Sequence, residues 1–208
     1  MRRLGALLAL LVVPAVCVVA DAAPTGQLTW AVHIALAPRW LDPSENDGSI
    51  SVIDTAAAKV IKTFNVGHRP RHVAFMPSQA RAYVTRENDG IVTVIDTIKH
   101  EPVSDIPLGE AGKIKPMSIA LSPDAGMAYV STGRGRMVFV VNTATDKVSA
   151  SFEAGDRPWG IGVSPDGKIL YTANGPSNDV SVIDLEKGSV IKKIPVAGSP
   201  WGILVLAD

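Results

Sequence analysis

Within each stretch of about six residues the chain alternates with a period of two, as a strand does. Val180, Val182 and Asp184 alternate with Ser181 and Ile183, and Val138 and Val140 alternate with Phe139 and Val141. β-Branched residues dominate these runs. Turn chemistry separates them, as at Asn46-Asp47-Gly48, Asn88-Asp89-Gly90 and Pro165-Asp166-Gly167. The pattern predicts short antiparallel strands and excludes a helical repeat, which needs a period of 3.6 and few glycines or prolines.

The runs recur. Ile50–Thr55, Val92–Thr97, Val138–Thr143 and Val180–Leu185 align, and their Asp54, Asp96, Asn142 and Asp184 are spaced by 42, 46 and 42 residues. Pro70, Pro116, Pro158 and Pro200 form a second marker, spaced by 46, 42 and 42 residues. Met76-Pro77, Ser122-Pro123-Asp124 and Ser164-Pro165-Asp166-Gly167 form a third marker. Tyr83-Val84-Thr85, Tyr129-Val130-Ser131 and Tyr171-Thr172-Ala173 form a fourth. The four extra residues of the middle repeat fall in one loop, Glu110 to Lys115.

Each repeat holds four strand-sized runs. In the third they are Met127–Thr132, Met137–Asn142, Val148–Glu153 and Trp159–Val163. Four short antiparallel strands per repeat of this length predict the blade of a β-propeller. The innermost strand of each blade is expected just after the proline loop, at His72–Met76, Met117–Leu121, Trp159–Val163 and Trp201–Leu206. The fold class is therefore all-β: a propeller of four-stranded antiparallel blades.

Composition narrows the function. The 208 residues carry 20 basic and 20 acidic side chains, a balance that argues against a dedicated nucleic-acid binder. Residues 1–22 read as a cleaved secretory signal: Arg2 and Arg3, then an apolar run from Leu4 to Ala20, then Ala20-Asp21-Ala22. The single cysteine, Cys17, leaves with that signal, so thiolate catalysis and disulfides are not expected in the mature chain. A periplasmic or secreted location follows, with no membrane span after the signal.

Candidate chemistry is sparse. The recurring Asp54, Asp96 and Asp184 are expected to accept backbone N–H bonds in turns, since Asn142 holds the equivalent place without a charge. Arg69, Arg157, Trp159 and Trp201 flank the proline loops and would meet at one end of the propeller channel, where guanidinium and indole surfaces suit an anionic or planar ligand. The bland alternative has the tryptophans packing between blades and the arginines capping strand ends. His33, His68, His72 and His100 lack metal-ligand spacing, although His68 and His72 stand four apart. No catalytic residues, metal site or cofactor are expected, and the chain reads as a non-enzyme.

The order Tyr-Val-Thr, Val-x-Val-Ile-Asp-Thr, Gly-x-Arg-Pro, Ser-Pro-Asp-Gly resembles the YVTN β-propeller repeat family. Arg157–Gly167, Tyr171–Val180 and Gly198–Gly202 are similar to the PQQ-dependent catabolism-associated β-propeller proteins. That resemblance implies a secreted accessory of quinoprotein alcohol oxidation, with a partner protein or small ligand drawn from that system. It implies no catalytic residue. Gly26–Pro43 resembles the mature start of peptide-type ABC solute-binding proteins, which suggests a fused segment over residues 23–45 ahead of the repeats at 46–208.

Such propellers have about seven blades. This sequence has material for three full blades, a two-strand opening piece and the closing Trp201–Leu206. Leu28–Leu36 alternates well enough to supply a missing strand. An open arc is expected rather than a closed four-bladed ring, with exposed sheet faces that favour self-association. Competing readings are a lactonase-like or redox propeller enzyme, a surface adhesion module, and a truncated or fused product without independent activity.

Overall fold

The computed structural model describes residues 48–206, apart from 55 and 79. They belong to one compact unit. The expected signal at 1–22, the segment at 23–45 and the strand at Leu28–Leu36 lie outside the described residues.

Among the described residues fourteen strands form four antiparallel sheets. The first sheet pairs β1 (Ser49–Asp54) with β2 (Lys59–Asn65). The second is β3 (Pro70–Phe75), β4 (Arg81–Arg86), β5 (Ile91–Asp96) and β6 (Glu101–Pro107), in that order. The third is β7 (Ile119–Leu121), β8 (Met127–Ser131), β9 (Met137–Asn142) and β10 (Lys147–Glu153). The fourth is β11 (Pro158–Val163), β12 (Ile169–Asn174), β13 (Asp179–Asp184) and β14 (Ser189–Pro195). These are three complete propeller blades and half of another.

The blade is offset from the sequence repeat. Trp159–Val163, the last run of the third repeat and an expected inner strand, pairs with β12 and opens the next blade. Each blade therefore begins at its proline loop, with β3, β7 and β11 innermost. Successive inner strands touch one another, β3 against β7 and β7 against β11.

One expected strand is absent. Trp201–Leu206 runs extended past β11 but joins no ladder. Its position is nevertheless that of a next inner strand. A Cβ on Gly160 would stand 2.6 Å from the Gly202 Cα, and one on Gly162 would stand 2.9 Å from Ile203 Cγ2. Glycines at 160 and 162 permit that close approach. No strand among the described residues shares a ladder with it.

The core lies between blades. Val66, Ala82, Val84 and Ile95 join the half-blade to the first full one. Tyr83, Val92, Val94, Ile119, Ala128, Val130 and Val141 join the first full blade to the second. Tyr129, Val138, Val140, Ile161, Leu170 and Ile183 join the second to the third. A middle strand packed on both faces loses its polar alternation, and β4 and β5 are buried over four consecutive residues each. Apolar burial between sheets, at ~25 cal/mol per Å², is the main stabilising contribution.

The recurring acids stand where the turns need them. Asp54 Oδ1 accepts from the backbone N–H groups of Ala56 and Ala57, each at 2.9 Å. Asp96 does the same for Ile98 and Lys99 at 2.9 Å. Asn142 Oδ1 serves Ala144 and Thr145, and Asp184 Oδ1 serves Glu186 and Lys187. The Asx-turn reading holds at all four positions.

Candidate ligand site at the channel mouth

The four prolines open equivalent loops, so residues at the same offset from each converge on one end of the channel. Arg69, Lys115 and Arg157 immediately precede a proline, and Arg71, Met117, Trp159 and Trp201 immediately follow one. Together they line a cavity of about 260 Å³, joined by Glu87 and Arg134. All four residues singled out from the sequence, Arg69, Arg157, Trp159 and Trp201, line it. A second cavity, about 460 Å³, shares Arg71, Met117, Trp159 and Trp201 and adds His72, Ser118, Gly160 and Ile161.

The backbone of these loops is set by the repeat rather than by the arginines. Arg69 and Arg157 have φ of 56° and 52°, and Ser199 shares the left-handed conformation at 49°. Lys115, after the four-residue insertion, does not.

Five cations therefore face one carboxylate. Glu87 is nine-tenths buried and sits between Arg69 Nε at 3.1 Å, Arg71 Nε at 3.3 Å and Lys115 Nζ at 3.7 Å. Arg69 Nε and Glu87 Oε2 face each other without the alignment of a hydrogen bond. Burial lowers the pKa of Arg71, Glu87 pulls it back up, and Arg69 lowers it again; a guanidinium in this setting remains charged. Arg134, on the one-turn 3-10 helix Gly133–Gly135, and Arg157 are exposed and have no acid partner among the described residues.

The two tryptophans differ. Their ring centroids are 4.5 Å apart with planes at 46°. Trp159 lies on Gly175, where a Cβ would stand 2.0 Å from the ring, and Arg157 sits over it at 5.5 Å from the centroid. That contact lies within its own blade, between β11 and the loop after β12, while the ring also lines both cavities. Trp201 is 60% exposed, with Arg71 at 5.8 Å from its centroid. It offers a free aromatic surface.

Arg71, Glu87, Lys115 and Arg134 were not among the sequence candidates. A signal existed for three of them. Arg71 and Lys115 occupy the same offsets from proline as Trp159 and Arg157. Glu87 stands four residues after Tyr83, where the later repeats have Gly133 and Gly175. A carboxylate at a position otherwise glycine is a departure from the repeat. Arg134 stands in register with Asn88 and Pro176 and follows no rule visible in the repeats.

His68 and His72 go to different partners. His68 Nδ1 meets Asp89 Oδ1 at 2.8 Å. His72 Nδ1 accepts from the Ser118 hydroxyl at 2.5 Å and from the Ile119 N–H at 3.4 Å. Burial holds the His72 pKa below its ordinary value, consistent with a neutral ring whose Nδ1 is an acceptor. No cluster of three or more metal-ligating side chains exists among the described residues. No helix among them is long and apolar enough to cross a membrane.

Comparison with known proteins agrees with the fold. Among solved structures, hydrazine synthase of Kuenenia stuttgartiensis is similar, with a TM-score of 0.65 and 26% identity over 71% of this chain and 43% of that one. The present chain thus spans less than half of that neighbour's length. No curated protein sequence matches. The family described as "Lactonase, 7-bladed beta-propeller" matches residues 51–190. That span takes in every blade from β1 to the start of β14, and the chain belongs to this seven-bladed β-propeller lactonase family.

Proposed function

We propose that this protein is a non-enzymatic, exported β-propeller that binds a small anionic ligand at its channel mouth. Its role is that of an accessory to PQQ-dependent alcohol oxidation. The observation that carries the binding reading is the set of five cations around one carboxylate in a cavity of about 260 Å³. Such a surplus raises the local concentration of anions and favours carboxylate or phosphate groups over neutral solutes. The pathway rests on the resemblance of Arg157–Gly167, Tyr171–Val180 and Gly198–Gly202 to the PQQ-associated propellers, and export rests on residues 1–22.

The test has two arms. Citrate is titrated calorimetrically into the protein at low and at physiological salt. Saturable binding that weakens with salt is expected, and no heat at either salt would end the binding reading. Tagged protein is also purified from cells growing on an alcohol. Recovery of a quinoprotein dehydrogenase supports the accessory role, and its absence beside abundant bait counts against it.

A lactonase reading has one observation in its favour beyond the family name: the Ser118–His72 pair lines the second cavity. Hydrolysis of a simple lactone by the wild type, lost in Ser118→Ala, would make the protein an enzyme. The proposal expects none.

A further inference from the structure

We infer that the ligand is a planar aromatic acid carrying at least two carboxylates. Its ring would lie on Trp201 and its carboxylates on Arg134 and Arg157. This rests on reading the mouth as an anion site and says which anion it takes.

Three observations narrow the choice. First, the cations are not equivalent. Arg69, Arg71 and Lys115 are drawn to Glu87, whereas Arg134 and Arg157 have no acid partner among the described residues. A guanidinium fork pairs with a planar carboxylate through two parallel bonds, and two separate forks suit two separate carboxylates better than one phosphate. Second, Glu87 Oε2 is buried between Arg69 Nε at 3.1 Å and Arg71 Nε at 3.3 Å, and Oε1 faces Lys115 Nζ at 3.7 Å. An acid already occupies the donors of those three cations, so Arg134 and Arg157 are the guanidinium groups whose forks are open to ligand carboxylates. Third, Trp201 keeps 60% of its surface exposed although Trp159 and Arg71 lie against it. An indole face beside cations recognises a flat, electron-poor ring. The volume of about 260 Å³ fits one or two fused rings with their substituents.

The test compares three probes by calorimetry: benzene-1,3,5-tricarboxylate, citrate, and adenosine monophosphate. The aromatic tricarboxylate should bind about fivefold more tightly than citrate, the factor that one ring contact of ~1 kcal/mol provides. Trp201→Leu should remove that preference while leaving citrate binding in place, and Trp201→Phe should retain most of it. Arg134→Gln with Arg157→Gln should weaken both tricarboxylates by about tenfold, since charge-assisted bonds to two guanidinium groups are lost. All these side chains are exposed, so the fold should survive, and an unchanged melting midpoint checks this.

Equal affinity for the aromatic and non-aromatic acids would overturn the ring assignment while leaving an anion site. So would a preference that survives Trp201→Leu. Tighter binding of the nucleotide, lost in the double arginine variant, would overturn the carboxylate assignment in favour of phosphate. Binding indifferent to the arginine variants would place the ligand elsewhere and overturn the inference. Failure of every probe to bind would instead remove the anion site itself.

Discussion

The hydroxyl of Thr85 donates to the backbone carbonyl of Met117 at 2.9 Å, tying the second strand of one blade to the mouth of the next. The same oxygen accepts the His72 N–H at 3.0 Å, so one side chain holds two inner strands. Ser131 repeats the arrangement, accepting from the Ser118 N–H at 3.1 Å and donating to the Trp159 carbonyl at 2.9 Å. The third blade has Ala173 at this position and cannot make the bond. The carbonyl it would hold belongs to Trp201, at the start of the segment that joins no ladder.

Ala173→Ser should supply the missing hydroxyl. Slower hydrogen exchange over residues 201–206 is expected, with a stability gain of about 0.5–1.5 kcal/mol, the net yield of one hydrogen bond. Thr85→Val, which leaves the Met117 carbonyl and His72 N–H without that partner, should cost about 1–3 kcal/mol in urea unfolding. Unchanged exchange in Ala173→Ser would show that the hydroxyl does not govern the segment.

Tyr83 fastens the outer corner of the same interface. Its hydroxyl donates to Asp146 Oδ1 at 3.0 Å and to the Thr143 carbonyl at 3.2 Å. Asp146 is also the partner of Arg81. Burial, followed by the Asp146 carboxylate, pushes the Tyr83 pKa up to about 12. Tyr83→Phe should destabilise by about 1–2 kcal/mol. A double-mutant cycle with Asp146→Asn should show coupling of about 0.5 kcal/mol or more. Strict additivity would mean the bond contributes nothing.

The turn acids predict a difference between two substitutions at one site. Asp96→Asn keeps the acceptor for Ile98 and Lys99, and Asn142 already performs this role, so the urea midpoint should stay essentially unchanged. Asp96→Ala removes the acceptor and should lower the urea midpoint measurably. If Asn were as damaging as Ala, the charge itself would be required, and the turn explanation would fail.

His72 sets a pH dependence. Its folded pKa lies below the ordinary 6.5 because burial disfavours the charged ring. A depressed value means the unfolded chain binds the proton more readily. The contribution is intact above about pH 6.5 and is lost as pH falls through the lower folded value. Urea midpoints should therefore drop below pH 6.5 in the wild type, and less so in His72→Gln. An identical fall in both would assign the acid sensitivity to other groups.

The period-two runs, the Asp-x-x turns and the proline phase identified blades from the sequence, because each is a local rule repeated in register. The same register brought Arg69, Arg157, Trp159 and Trp201 into one set, and the structure places all four around one cavity. The inner strand after each proline loop was legible too, but its sheet partners were not, since Trp159–Val163 is equally strand-like whichever neighbour it pairs with. Trp201–Leu206 reads as a strand for the same reason, yet a ladder needs a partner that local pattern cannot supply.

Tertiary structure alone decided which side chains share the mouth. Glu87 lies on the loop after β4 and Arg134 on the turn after β8, far in sequence from the proline loops. Only the stacking of blades brings them beside Arg71 and Trp201. It also separated the two tryptophans, laying one against Gly175 and leaving the other open. Sequence by itself determined the blade, because strand, turn and loop are set by neighbours along the chain. Charge surplus and exposed ring were decided by packing, because burial and pairing depend on which surfaces meet across blades.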